Sequence, residues 1–115
     1  MTAALNLVTF DVVVFPFPFT DRNASKRRPA LVLTSTLFNQ QAGHSVMAMI
    51  TSTGQSSWLS DCAIENLEPA GLPTDCLVRL KLFTLDHRLV IRKAGTLAAA
   101  DQKKLRRAWK GLLTL

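Results

Sequence analysis

Lys26-Arg27-Arg28-Pro29-Ala30-Leu31-Val32-Leu33 sets three cations directly before a proline and an apolar run. Proline fixes its own φ and biases the residue before it towards extended backbone. The stretch therefore predicts a strand over Ala30–Thr34, approached from an exposed basic loop, Thr20–Arg28, with Arg28 held against stiff backbone. Upstream, Val8–Phe15 is rich in Val and Phe and reads as a strand. It runs into Phe15-Pro16-Phe17-Pro18-Phe19, an alternation that the prolines keep extended. Downstream, Ser35–Gln41 is a connection with room for one helical turn. Val46–Thr51 is the next strand, Thr53–Ser57 a second polar loop, and Cys62–Glu65 a short strand. Pro69, Gly71 and Pro73 make Glu68–Thr74 turn-rich. Cys76–Leu82 alternates Leu77, Arg79 and Lys81 against Val78, Leu80 and Leu82, and Leu89–Ile91 is the last strand expected.

The period then changes. Leu105, Ala108, Trp109, Leu112 and Leu113 recur at steps of three and four, the apolar face of a helix whose other face carries Lys103, Lys104, Arg106, Arg107 and Lys110. Asp101 near its start suits the helix dipole. Five or more short strands closed by one helix predict a mainly β protein, a strongly bent antiparallel barrel with a C-terminal helix, as a single domain over residues 1–115.

Composition narrows the function classes. Hydrophobic residues make up 48% of the 115-residue chain and charged residues 19%, which fits a globular domain with one modest core. Fourteen Lys/Arg against eight Asp/Glu give a net charge of +6, which points to a polyanionic partner: nucleic acid, an acidic protein or an anionic surface. No stretch reads as a membrane span. Met1–Leu7 has no basic residue ahead of its apolar run, so no secretory signal is expected and a cytoplasmic location is the default reading. Cys62 and Cys76 fit neither a disulfide framework nor a zinc cage and read as two ordinary half-buried thiols.

No metal site is expected: His44 and His87 lack helical partners, and there is no HExxH, paired CxxC or acidic cluster. A nucleophile elbow and a glycine-rich phosphate loop are missing too. Two polar clusters remain. Arg28, pinned by Pro29, can fork onto a phosphate and stay charged when partly desolvated; a plain basic surface loop is the alternative. Thr51-Ser52-Thr53 ends a strand with hydroxyls that can donate to phosphate oxygens or cap a turn.

Taken in order along the chain, several blocks resemble the MazF/PemK-like toxins. Asp11-Val12-Val13 with Phe15-Pro16-Phe17-Pro18-Phe19-Thr20-Asp21 resembles their first strand and loop, and Lys26–Leu33 their basic-Arg-Pro-apolar segment. Met49-Ile50-Thr51-Ser52 resembles their strand ending in Thr-Ser. Gly71-Leu72-Pro73, Leu77-Val78-Arg79, Thr84-Leu85-Asp86 and Gly95-Thr96-Leu97 follow. The resemblance implies an SH3-like barrel of the CcdB/PemK type that forms a homodimer. It implies the toxin of a type II toxin–antitoxin pair, an endoribonuclease that cuts single-stranded RNA (mRNA) at selected sequences without metal or cofactor, leaving 2′,3′-cyclic phosphate and 5′-hydroxyl ends. Its implied partners are RNA, a cognate antitoxin with an acidic disordered tail, and operator DNA only through the antitoxin complex. Arg28 and Thr51 stand at the positions the family marks as catalytic. Lys26, Arg27, Ser52, Arg79 and Phe17 are the expected RNA contacts.

The sequence departs from the family pattern in three places. Phe10 replaces a glycine, Leu80-Lys81 replaces Asp-Gln, and Ala98 replaces a helix-capping serine. The second departure leaves the general base open among Asp11, His44, Asp86 and water. It also keeps a second reading alive, a relative on the same barrel that binds nucleic acid or protein without cleaving. A third reading is a structural partner acting through the basic helix.

Overall fold

The computed structural model describes residues 5–17, 26–54 and 57–115. Pro18, Phe19 and the polar part of the first expected loop lie outside them.

Among the described residues six strands form one antiparallel sheet in the order β4-β5-β3-β2-β1-β6, with β1 at Asp11–Phe17, β2 at Lys26–Val32, β3 at His44–Ser52, β4 at Cys62–Ala63, β5 at Cys76–Asp86 and β6 at Arg92–Thr96. The sheet curls into a half-barrel. Helix α1 (Thr36–Ala42) links β2 to β3, the short α2 (Leu67–Ala70) follows β4, and α3 (Ala99–Trp109) closes the chain. Ser35 caps α1 by accepting from Phe38 N–H, and Gly43 ends it in the left-handed conformation. The connection before β3 is thus two helical turns rather than one.

Directly opposed residues in an antiparallel pair share a face, so the register sorts the core in two. On one face Val12, Leu31, Ala48, Ile50, Cys62, Cys76 and Val78 pack with Leu97 and with Leu105 of α3. On the other, Val13, Phe15, Ala30, Val32, Met47 and Leu85 pack with Leu7, and Phe17, Met49 and Phe83 lie against them. Both cysteines are unpaired thiols, as expected, but buried rather than half-buried.

Four expectations need correction. Lys26–Arg28 belong to β2, not to a loop, because they pair with Phe17–Phe15 across the first hairpin. The last strand is Arg92–Thr96, not Leu89–Ile91: His87–Leu89 is a 3₁₀ turn, and β6 is a charged edge strand whose pattern hides it. The fourth strand is only Cys62–Ala63. Helix α3 stops at Trp109, and Gly111 (φ +80°) turns the chain away. Leu112 and Leu113 therefore lie beyond the helix, and Ala108 is exposed.

Asp101 does more than suit the helix dipole. Its carboxylate is buried and accepts hydrogen bonds from the backbone N–H of Glu65 (3.1 Å) and Asn66 (2.9 Å) and from Asn66 Nδ2 (3.2 Å), tying α3 to the segment after β4. Burial alone would raise its pKa; these donors outweigh burial and hold it below the usual aspartate value. Ala98 starts α3 with no side-chain cap.

Candidate functional site

Two local faults in the sheet flank β3. The first is at Pro29. Val14 O accepts from Ile91 N–H at 2.8 Å on the β6 side of β1. Val14 and Pro29 are therefore a non-hydrogen-bonded pair, and the donor that proline lacks would have faced β3. The β2–β3 ladder stops there, at Ala30↔Met49. Carried two residues further, the same register sets Arg28 across from Thr51. The second fault is a bulge in β5: Ala48 pairs with Leu82 while Met49 pairs with Arg79, so Leu80 and Lys81 are extra. Two extra residues preserve the alternation, which leaves Arg79, Lys81 and Phe83 on the face that holds Met49 and Thr51.

One end of that face is apolar core and the other is polar. The polar end holds Lys26, Arg28, Thr51, Arg79 and Lys81, beside Phe17. The register thus gathers five of the sequence-derived site residues, Arg28, Thr51, Lys26, Phe17 and Arg79. It sends Arg27 and Ser52, opposite Pro16 and Cys76, to the other face.

Arg28 is half-buried, with its guanidinium carbon 5.4 Å from the Phe17 ring centroid. Its Nε is buried and has no hydrogen-bond partner among the described residues. Leaving a buried donor unmet costs about 1–3 kcal/mol, and such an orphan is a place where a ligand acceptor fits.

Arg79 is engaged differently. Its Nε and Nη2 donate to Asp61 Oδ1 and Oδ2 at 3.1 and 2.9 Å, both partners largely buried. This fork holds the Asp61 carboxyl below the usual aspartate range. The same carboxylate accepts from Trp58 N–H at 3.0 Å. Trp58 lies under two cations, Arg79 at 5.8 Å and Lys81 at 5.9 Å. The sequence reading missed Trp58 and Asp61, since a lone Trp between Ser57 and Leu59 belongs to no pattern.

The three residues considered as general base stand away from Arg28 and Thr51. Asp11 is buried and taken: it accepts from Val8 N–H (2.8 Å) and Thr96 Oγ1 (2.9 Å) and pairs with Lys93 (3.1 Å). It lies four residues along β1 from Phe15, the partner of Arg28, or about 13 Å. His44 begins the strand that Thr51 nearly ends, about 23 Å away, and Asp86 is opposite His44.

A Ser–His contact elsewhere is also not a nucleophile pair. Ser45 Oγ is 2.7 Å from His87 Nε2 and 2.6 Å from Asn39 Oδ1. Asn39 Nδ2 donates to the carbonyls of Leu7 and Thr34, which fixes its amide, so Oδ1 must accept and Ser45 must donate to it. His87 Nε2 is then the donor to Ser45, and burial lowers the His87 pKa. Among the described residues no group of three or more His, Cys, Asp or Glu side chains is placed to hold a metal ion. No helix among them is long and apolar enough to cross a membrane.

Solved structures that share this fold include MazF toxins and an endoribonuclease in complex with its antitoxin. The Deinococcus radiodurans MazE–MazF complex (Form-II) aligns with a TM-score of 0.72 at 19% identity over 97% of this chain and 99% of that one. An endoribonuclease bound to its cognate antitoxin from Mycobacterial species aligns at 0.70, with 16% identity over 89% of each chain. A Mycobacterium tuberculosis MazF toxin aligns at 0.66, with 20% identity over 85% and 90%. No curated protein sequence matches significantly. These likenesses show the fold, the curled antiparallel half-barrel with a C-terminal helix seen in MazF structures. Residues 9–113 match the PemK-like, MazF-like toxins of type II toxin–antitoxin systems, and the chain belongs to that family, whose members are endoribonucleases.

Proposed function

We propose that this toxin cleaves single-stranded RNA, mRNA in the cell, at the polar end of the sheet face described above, and so halts translation. The observation that carries the reading is the buried, unpartnered Nε of Arg28 set across from Thr51 where the β2–β3 ladder ends. RNA brings its own nucleophile, the 2′-hydroxyl. The protein needs only to align it with the phosphorus, accept its proton and stabilise charge on the phosphorane. Arg28 binds the scissile phosphate and Thr51 holds it in line. The 2′-hydroxyl loses its proton as its oxygen bonds to phosphorus, the bond to the 5′-oxygen breaks, and that oxygen takes a proton from solvent water, giving a 2′,3′-cyclic phosphate and a 5′-hydroxyl. With Asp11, His44 and Asp86 distant or engaged, water accepts the proton. Lys26 attracts the neighbouring phosphates and Phe17 braces Arg28. Arg27 and Ser52, facing the other way, drop out of the contact set.

The reaction needs no metal, in keeping with the lack of a clustered donor set in the sequence. The toxin works in the cytoplasm as a homodimer and is silenced by an antitoxin whose acidic disordered tail occupies the same basic face. Operator DNA is reached only through that complex.

The test is cleavage of end-labelled single-stranded RNA by the purified toxin in EDTA. Discrete fragments with 5′-hydroxyl ends are expected, with Arg28→Ala and Thr51→Ala each about 10²–10³ slower. Retention of the RNA without cleavage would refute the reading and establish the binding-only relative.

A further inference from the structure

The indole of Trp58 is held in a built setting, yet it contributes to neither core cluster. Its residue is 47% exposed. Four contacts fix the turn that presents it. Asp61 accepts the Trp58 N–H at 3.0 Å and returns its own N–H to Trp58 O at 3.2 Å. The Asp61 carboxylate is in turn clamped by Arg79. Trp109 of α3 donates its indole N–H to Ser60 O at 3.0 Å, pinning the turn where Ser60 takes a positive φ of 63°. A non-glycine residue at such a φ costs about 1–3 kcal/mol and persists only where its surroundings over-determine it.

The cations against the ring come from the bulged stretch of β5, and Arg79 opposes Met49 on the strand that carries Thr51. From strand rise and spacing, the Arg79 backbone lies about 8 Å from that of Thr51. An exposed aromatic face flanked by Arg and Lys suits a nucleobase, with Lys81 left to meet the adjoining phosphate.

We propose that Trp58 stacks on a nucleobase flanking the scissile phosphate and sets part of the toxin's sequence preference. Arg79 and Asp61 act as positioning residues for the ring rather than as phosphate ligands. This deepens the ribonuclease reading and rests on it. The ring's π face accepts any base, so selectivity arises from stacking strength, with purines favoured over pyrimidines at that position.

The experiment uses the intact toxin and short single-stranded RNAs carrying the wild-type cut site. One set varies each flanking base, and another replaces it with an abasic ribose. Wild-type cleavage is measured first, and failure to cleave any RNA sinks the ribonuclease reading itself. Given cleavage, Trp58→Ala should lower kcat/KM by about 5- to 150-fold. Trp58→Phe should recover most of the loss. The Ala defect should vanish on the RNA that is abasic at the stacked position, which a merely structural role would not produce. Bound RNA should also quench tryptophan emission in the wild type more than in Trp58→Phe, where only Trp109 remains. If Trp58→Ala cleaves every RNA with wild-type kcat/KM and preference, the stacking role is overturned while the ribonuclease reading stands.

Discussion

Arg28→Met separates what Arg28 costs from what it does. Methionine keeps the length and apolar stem but removes the guanidinium. In the folded protein Arg28 Nε is buried without a partner among the described residues, a penalty of about 1–3 kcal/mol. Against it stands the contact with the Phe17 ring at 5.4 Å, worth about 0.5–1 kcal/mol. The Met thioether can replace part of that contact on the ring edge. The balance is a gain near 1 kcal/mol, or roughly 4 °C in Tm for a chain of this size. Catalysis moves the other way, because the phosphorane loses its forked donor, and the rate should fall about 10²–10³. The assay pairs a thermal melt with RNA cleavage at matched protein concentrations. A destabilised variant that still cleaved at the wild-type rate would refute the reasoning twice: Arg28 would then be structural, and its orphaned donor would not be reserved for substrate.

Two further predictions bear on the framework. Asp101→Ala strands two backbone donors, Glu65 and Asn66 N–H, and should cost about 3 kcal/mol at neutral pH in urea unfolding. Because the folded Asp101 pKa is depressed, its contribution is present above the ordinary aspartate pKa and is lost as pH falls through the lower folded value. The gap between wild type and variant should narrow below about pH 4, and a gap unchanged down to pH 3 would contradict the assignment. Gly95→Ala would place a Cβ 2.3 Å from Pro69 O and 2.7 Å from Ala70 C, both backbone atoms. β6 and α2 must then separate, at about 1–3 kcal/mol, readable as a lower urea midpoint with unchanged slope.

The strands that read well from sequence are those whose core faces are apolar runs or clean alternations, as in Ala30–Val32, Val46–Ile50 and Val78–Leu82. What stayed hidden depends on partners distant in sequence. β6 is Arg-Lys-Ala-Gly-Thr, and only its pairing with β1 makes it a strand. Lys26–Arg28 look like loop until the hairpin with Phe15–Phe17 is known. Phe10 shows the same in a single residue. It stands where the family often has glycine, and its φ is +75°, so the backbone keeps the glycine conformation with a phenylalanine in it. Its N–H donates to Val32 O at 2.7 Å, its carbonyl accepts from Leu97 N–H at 2.9 Å, and Arg106 lies 4.9 Å from its ring centroid. At the site, Arg28 and Thr51 were legible by motif, but their apposition is a fact of register, which no single stretch encodes. Arg79 was legible as a cation; that its charge is spent on Asp61 was not.

The two faults beside β3 would account for the proposed site lying in the middle of a sheet. An interior strand ordinarily spends every backbone group on its neighbours and offers a ligand nothing. Here β3 is released on both sides within three residues. Pro29 withholds a donor on the β2 side, and the Leu80–Lys81 bulge displaces the ladder on the β5 side. The first fault ends the β2–β3 ladder just before the positions of Arg28 and Thr51. The second swings Arg79 and Lys81 towards Trp58. The Leu-Lys pair that departs from the family's Asp-Gln therefore falls at a bulge beside the site, where side chains are re-aimed. Lys81, where the family has Gln, adds a positive charge to the face proposed to bind phosphate, while Leu80, where it has the acid, falls on the other side of the alternation. If that face binds phosphate as proposed, Lys81 favours tighter phosphate binding, and the absent acid leaves proton removal to water.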